Sequence, residues 1–206
     1  MTTSLEKLFG SHYRVKLIRF FLLNPTAVFP QKIVGERLKI PAPILHRELN
    51  ALQQAGFIRH GSVMFPNSPA GGRAAGEKRR RVRGSALQTS FPLLQELKHL
   101  VLSSSPISLR QLAETIKRTG RIKLITVSGV FLKADTRLDL LVVGEHIKKG
   151  AFAKALRNIE AEIGKELAYA QLSTDEFKYR LGMYDRFIRE VLEHPHEHIV
   201  NKLDVA

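Results

Sequence analysis

With 206 residues the chain has room for one large domain or two of about 100 residues each, and 33 Lys and Arg against 19 Asp and Glu leave a formal charge of +14. The absence of cysteine excludes a disulfide framework and a thiolate metal site. No stretch approaches the ~20 apolar residues of a membrane span, and MTTSLEKLFG lacks the apolar run of a signal peptide, so no membrane association and a cytoplasmic location are expected.

Leu5, Leu8, Val15, Ile18, Phe21 and Leu22 recur at helical spacing, with Arg14, Lys16 and Arg19 between them, and predict an amphipathic helix over residues 12 to 23 that ends at Asn24 and Pro25. QKIVGERL from Gln31 is a second helix, with Ile33, Val34 and Leu38 on one face, and it breaks at Lys39, Ile40 and Pro41. APILHRELNALQQAG is a third, opened by Pro41 or Pro43. Leu45, Leu49 and Leu52 form its inner stripe, which leaves Ala42, Pro43, His46, Arg47, Asn50 and Gln53 outward. A strand, FIRHGSV, a Gly-, Pro- and Ala-rich loop from Phe65 to Gly76, and a return strand, KRRRVRG, complete a hairpin.

Two short helices at a tight turn followed by a basic hairpin are the parts of a winged helix-turn-helix reader of double-stranded DNA. Arg and Asn make bidentate contacts to base edges, so Pro43, His46, Arg47 and Asn50 form the candidate reading face, although a solvated helix face has the same polarity. Lys78, Arg79, Arg80, Arg81 and Arg83 are the candidate phosphate contacts of the hairpin. Residues 1 to 90 hold 15 Lys and Arg against four Glu, a surplus of eleven out of the chain's +14, which places the footprint for a polyanion on this segment.

From Phe91 the pattern changes. FPLLQELKHLVL is a linking helix and SSSP a break, with Ser103 to Ser105 read as cap and linker because no base lies near them. ISLRQLAETIKRTG is a helix closed by Gly120, followed by the strands RIKLITVSGVF and RLDLLVVGE. A helix over 147 to 163, a third strand in ELAYAQLS, and a final helix FKYRLGMYDRFIREVL behind Ser173 and Glu176 complete an α-β-β-α-β-α order. His194, His196 and His198 have strand-like metal spacing, but Pro195 favours a solvated tail. The expected class is α+β: a winged-helix domain over 1–90, a linking helix and linker over 91–106, and an α/β domain with a mixed sheet over 107–206.

Ser128 and Gly129 after one strand, then Leu138 to Gly144 in the next, resemble the minimal nucleotidyltransferase domain of the polymerase-beta superfamily across residues 107 to 180. With the basic hairpin before it, the whole chain resembles bacterial winged-helix transcriptional regulators fused to such a domain. The resemblance implies a Gly-Ser pair for nucleotide phosphates, an Asp-x-Asp pair for Mg²⁺ and a third carboxylate on a neighbouring strand. Here the pair is reversed to Ser128 and Gly129, the first Asp is Arg137, only Asp139 remains, and the third position falls at Ala168, with Glu166 two residues earlier.

A catalytically inactive domain is therefore expected, with no catalytic residue, no metal site and no cofactor, kept as scaffold, dimerisation surface or ligand sensor. Ser128, Gly129, Arg137 and Asp139 would mark a pocket for a nucleotide-like or anionic effector, with Asp139 paired to Arg137 or Lys123. A sequence-specific DNA-binding homodimer is the leading expectation, since one reading helix covers few base pairs. The alternatives are an active nucleotidyltransferase acting on a small molecule or protein, and an antitoxin-like partner protein.

Overall fold

The computed structural model describes residues 4–66, 79–104 and 106–205, and for residues 65, 66, 79 and 80 the backbone alone. The chain is α+β and divides into two compact units. The first comprises Met1–Ser104 with Ala161–Lys165, and the second Ser105–Glu160 with Glu166–Ala206. Among the described residues no helix is long and apolar enough to cross a membrane.

The first unit opens with α1 (Ser4–Phe9) and α2 (His12–Leu23), the latter capped by the Ser11 hydroxyl, which accepts from the Arg14 N–H. Every residue from Val15 to Leu22 is buried, as expected for a helix surrounded by its neighbours, and Leu17, Phe20 and Phe21 enter the main core cluster. The basic residues of this helix are therefore not a solvated face. Lys16 is buried with its Nζ 2.8 Å from Glu162, and the buried Arg19 donates to the carbonyls of Val101 and Ser104. Burial holds the Arg19 guanidinium below its ordinary value, with Glu162 and Glu6 opposing that shift.

Next come α3 (Gln31–Leu38) and α4 (Ala42–Gln54), joined by Lys39 in a left-handed conformation, the buried Ile40 and Pro41. Val34 and Leu38 of α3 and Leu45, Leu49 and Leu52 of α4 meet in the same core, a spacing that fixes which side of α4 faces outward. Strands β1 (Ile58–Pro66) and β2 (Arg79–Leu87) pair antiparallel from Ile58 opposite Leu87 to Pro66 opposite Arg79. Phe29 crosses beside β2 and exchanges both backbone hydrogen bonds with Ser85 at 2.9 Å. Gly84 permits that approach, because a Cβ there would lie 2.5 Å from the Phe29 carbonyl oxygen. The linking helix α5 (Leu94–Ser103) belongs to this unit and buries Val101 in its core.

The second unit holds α6 (Leu109–Lys117), β3 (Arg121–Val127), a 3-10 turn at Gly129–Phe131, β4 (Leu140–Glu145), the bulk of α7 (Lys149–Ile163), β5 (Tyr169–Leu172), α8 (Thr174–Gly182), α9 (Arg186–Glu193) and β6 (Glu197–Asn201). Its sheet runs in the order β5-β4-β3-β6, with β4 and β5 parallel and the other neighbours antiparallel, so the mixed sheet is present. Strands β3 and β4 are buried almost throughout, which explains their continuous apolar runs. Helices α8 and α9 cover one face, where Phe177, Ile188 and Val191 meet Leu124, Leu141 and Val143.

Two expectations change here. The final helix is two, because Tyr184 takes a left-handed conformation and the Asp185 carboxylate caps α9 by accepting from the N–H groups of Phe187 and Ile188. The histidine-rich end is not a solvated tail. It forms β6 against β3, with His198 Nδ1 2.9 Å from Thr126 Oγ1.

Candidate nucleic-acid interface and a polar cleft

Pro43, His46, Arg47 and Asn50 are all exposed, at the i, i+3, i+4, i+7 positions of one face of α4. His46 Nε2 and Asn50 Nδ2 lie 3.2 Å apart, so the two side chains stand side by side on that face. Arg47 is 74% exposed and reaches Glu48 Oε1 at 3.3 Å. In the last turn of α4, Gln53 Nε2 lies 2.7 Å from His60 Nε2 and ties the helix to the hairpin.

On the hairpin Arg81 and Arg83 are both exposed and, two residues apart, share one face of β2, with Arg81 Nε donating to Ser62 Oγ at 2.8 Å. Arg79 and Arg80 are part of the same strand, opposite Pro66 and Phe65. Lys78, the first of the basic run, lies outside the described residues.

Glu48 was not singled out by the sequence reading, yet it anchors α4. It is 1% exposed, accepts from Arg14 Nε at 2.9 Å and from the Ser11 hydroxyl at 3.1 Å, and lies within ion-pair distance of Arg47. The signal was available, since position 48 sits inside the Leu45, Leu49, Leu52 stripe, where an acid must find partners. One consequence concerns the charge surplus. Arg14 and Lys16 are matched by Glu48 and Glu162, whereas Lys32, Arg37, Lys39, Arg47, Arg59, Arg81 and Arg83 are exposed. The exposed cations between Gln31 and Leu87, among the described residues, are therefore spread over α3 and its C-terminal turn, α4 and the hairpin.

In the second unit a cleft of about 130 Å³ is lined by Ser128, Asp135, Thr136, Arg137, Glu190 and His194, among others. That is room for a benzene-sized group. Of the four residues expected to mark a pocket, Ser128 and Arg137 line this cleft and Gly129 and Asp139 do not. Arg137 is 78% exposed and pairs with Glu190 at 3.6 Å.

Asp139 pairs with neither Arg137 nor Lys123 among its hydrogen bonds. It is buried, and its two oxygens accept backbone N–H groups, Oδ1 from Val130 at 2.8 Å and Oδ2 from Ala168 at 2.9 Å. Its own N–H donates to the Ala168 carbonyl at 2.7 Å. Gly129 sits beneath the carboxylate with φ +52, and a Cβ at this position would collide with Asp139 Oδ1. The Ser128 hydroxyl donates to the Leu138 carbonyl and is 3.4 Å from Thr136 Oγ1. Asp139 thus ties the turn after β3 and the segment before β5 to the start of β4. Glu166 is exposed and precedes β5. Among the described residues no three His, Asp or Glu side chains converge as a metal-ligand group.

His198 of β6 was also missed as more than a tail residue. Burial, and to a lesser extent the neighbouring His196, hold its imidazole below the ordinary value, and its Nε2 is buried without a partner among the described residues. Compared with known proteins, the chain matches no family model, no curated sequence and no solved structure.

Proposed function

We propose that the chain is a sequence-specific DNA-binding transcriptional regulator acting in the cytoplasm. In this reading residues 1–90 are a winged helix-turn-helix, with α4 as reading helix and the β1-β2 hairpin as wing. Residues 107–206 are a nucleotidyltransferase-like domain that serves as scaffold, dimerisation surface or ligand sensor. The observation that carries the reading is the exposed row Pro43, His46, Arg47 and Asn50 on α4, beside a hairpin that presents Arg81 and Arg83. A helix bearing Arg and Asn outward is suited to base edges in a major groove, and a neighbouring basic strand is suited to the phosphates that flank it.

The order of the second unit, with β4 and β5 parallel and β3 antiparallel to β4, supports a nucleotidyltransferase-like scaffold. Against nucleotide transfer stand the Arg137 cation at the position of the first carboxylate and the engagement of both Asp139 oxygens with backbone donors. Freeing Asp139 for a dication would leave two amide N–H groups without their acceptor.

The test is binding of the full chain to genomic DNA fragments across a salt series. Retardation of particular fragments is expected, with log affinity falling linearly in log salt, by about 0.9 per neutralised phosphate. No retardation at low salt, or an affinity indifferent to salt, overturns the reading.

A further inference from the structure

Four of the nine exposed large apolar side chains among the described residues lie within six positions of the second unit: Tyr179, Leu181, Met183 and Tyr184, at the elbow between α8 and α9. Tyr184 is 80% exposed and holds a left-handed backbone, φ +52. Bulky residues avoid that conformation, and Asn or Gly would make the same turn with less strain. A strained aromatic that gives its ring to solvent is not explained by folding of the chain that carries it.

The helix that follows has a patterned charge. Arg186, Arg189, Glu190 and Glu193 fall at i, i+3, i+4 and i+7 on the outward face of α9, opposite the buried Ile188 and Val191. The first half of this face is positive and the second negative. Within one chain Arg189 pairs with Glu193 at 2.8 Å and Glu190 with Arg137 at 3.6 Å, so contacts between copies share or exchange these exposed partners. An antiparallel copy of the same helix, related by a two-fold axis between positions 189 and 190, sets Arg189 against Glu190 and Arg186 against Glu193, each contact doubled by symmetry. The same register puts Tyr184 over Pro195 of the second copy. A parallel copy, or a partner of uniform charge, would meet like charge somewhere along the face.

We propose that the α8-α9 elbow is the homodimer surface, two copies packing antiparallel through α9 with a Tyr184 at each end of the contact as its apolar anchor. The proposal deepens the DNA-binding reading, which calls for two reading helices, and its geometry rests on the charge order and the exposed elbow alone. The apolar residues supply the affinity, and the charges fix register and direction.

Sedimentation of the full chain, at micromolar concentration and moderate salt, tests it. A dimer is expected for the wild-type chain. Tyr184→Asn should raise the dimer dissociation constant by about a thousandfold, because a contact worth about thirtyfold is lost twice across the two-fold axis. Thermal stability of the second unit should not fall, since Asn tolerates the left-handed turn. Reversing Arg186 and Arg189 to Glu sets acid against acid and should also give monomers, while reversing all four charges should restore the dimer. A monomeric wild-type chain, a dimer indifferent to Tyr184→Asn, or a four-fold reversal no more dimeric than the two-fold one overturns the proposal. A dimer of this behaviour that binds no DNA would leave the interface standing and remove the DNA reading, and a DNA-binding monomer would do the reverse.

Discussion

Asp139→Asn separates a structural carboxylate from a metal-binding one. In the wild-type chain each carboxylate oxygen accepts one backbone N–H, from Val130 at 2.8 Å and from Ala168 at 2.9 Å. An Asn side chain has one oxygen and one NH₂ group, so in either orientation a donor faces a donor. One charge-assisted hydrogen bond, worth about 1.5–3 kcal/mol, is lost, and one buried N–H is left without an acceptor. The two effects overlap, and relief of a buried charge offsets part of them, so a net loss of about 2–4 kcal/mol is expected. In a unit of about 100 residues that lowers the melting temperature by roughly 10–20 °C. Urea and thermal unfolding followed by circular dichroism measure the loss, and hydrogen exchange at the Val130 and Ala168 amides should accelerate with it. A change below about 0.5 kcal/mol, with those amides still protected, would refute the assignment and return Asp139 to the pool of ligands available to a cation.

Three further outcomes follow from the same geometry. Glu48→Ala removes the acceptor shared by Arg14 and the Ser11 hydroxyl and should destabilise the first unit by about 2–4 kcal/mol, whereas the exposed Glu36→Ala should stay within about 0.5 kcal/mol when both are measured by urea denaturation. His198 is held below its ordinary value in the fold, so protons bind the unfolded chain better. Its contribution to stability is complete above about pH 6.5 and declines as the pH falls through and below that value, and His198→Asn should flatten this part of the stability profile. Replacing both Arg81 and Arg83 by Ala should reduce the magnitude of the salt slope of DNA binding by up to about 2, as read from titrations at four or more salt concentrations.

Spacing carried much of this architecture. Leu45, Leu49 and Leu52 determine the inner face of α4, and the outward position of His46, Arg47 and Asn50 follows from helical geometry alone. The apolar runs ITV and LLVV mark strands buried on both sides. What spacing could not supply was the identity of partners that only the fold brings near. The acceptor role of Asp139 depends on backbone donors 9 and 29 residues away, which no side-chain pattern encodes. Strand β6 contains His and follows Pro195, poor local signals for a strand, and it exists because β3 offers a free edge. The break between α8 and α9 was partly legible, since Gly182 and Asp185 are a stop and a cap, but the helical spacing on either side concealed it. Spacing set Lys16 and Arg19 between the apolar positions of an amphipathic helix but could not show that they are buried, because their partners, Glu162 and the Val101 and Ser104 carbonyls, lie more than 80 positions on.

The central claim is that α4 reads sequence, and the most direct measurement is selection from a random duplex library, followed by titration of the best and the unselected duplexes with the wild-type chain and with Asn50→Ala. The account predicts that one site is enriched, that Asn50→Ala weakens binding to it by about 5- to 150-fold, corresponding to about 1–3 kcal/mol, and that binding to unselected duplex is unchanged. Equal weakening on both duplexes, or no enrichment with the wild-type chain, would contradict it.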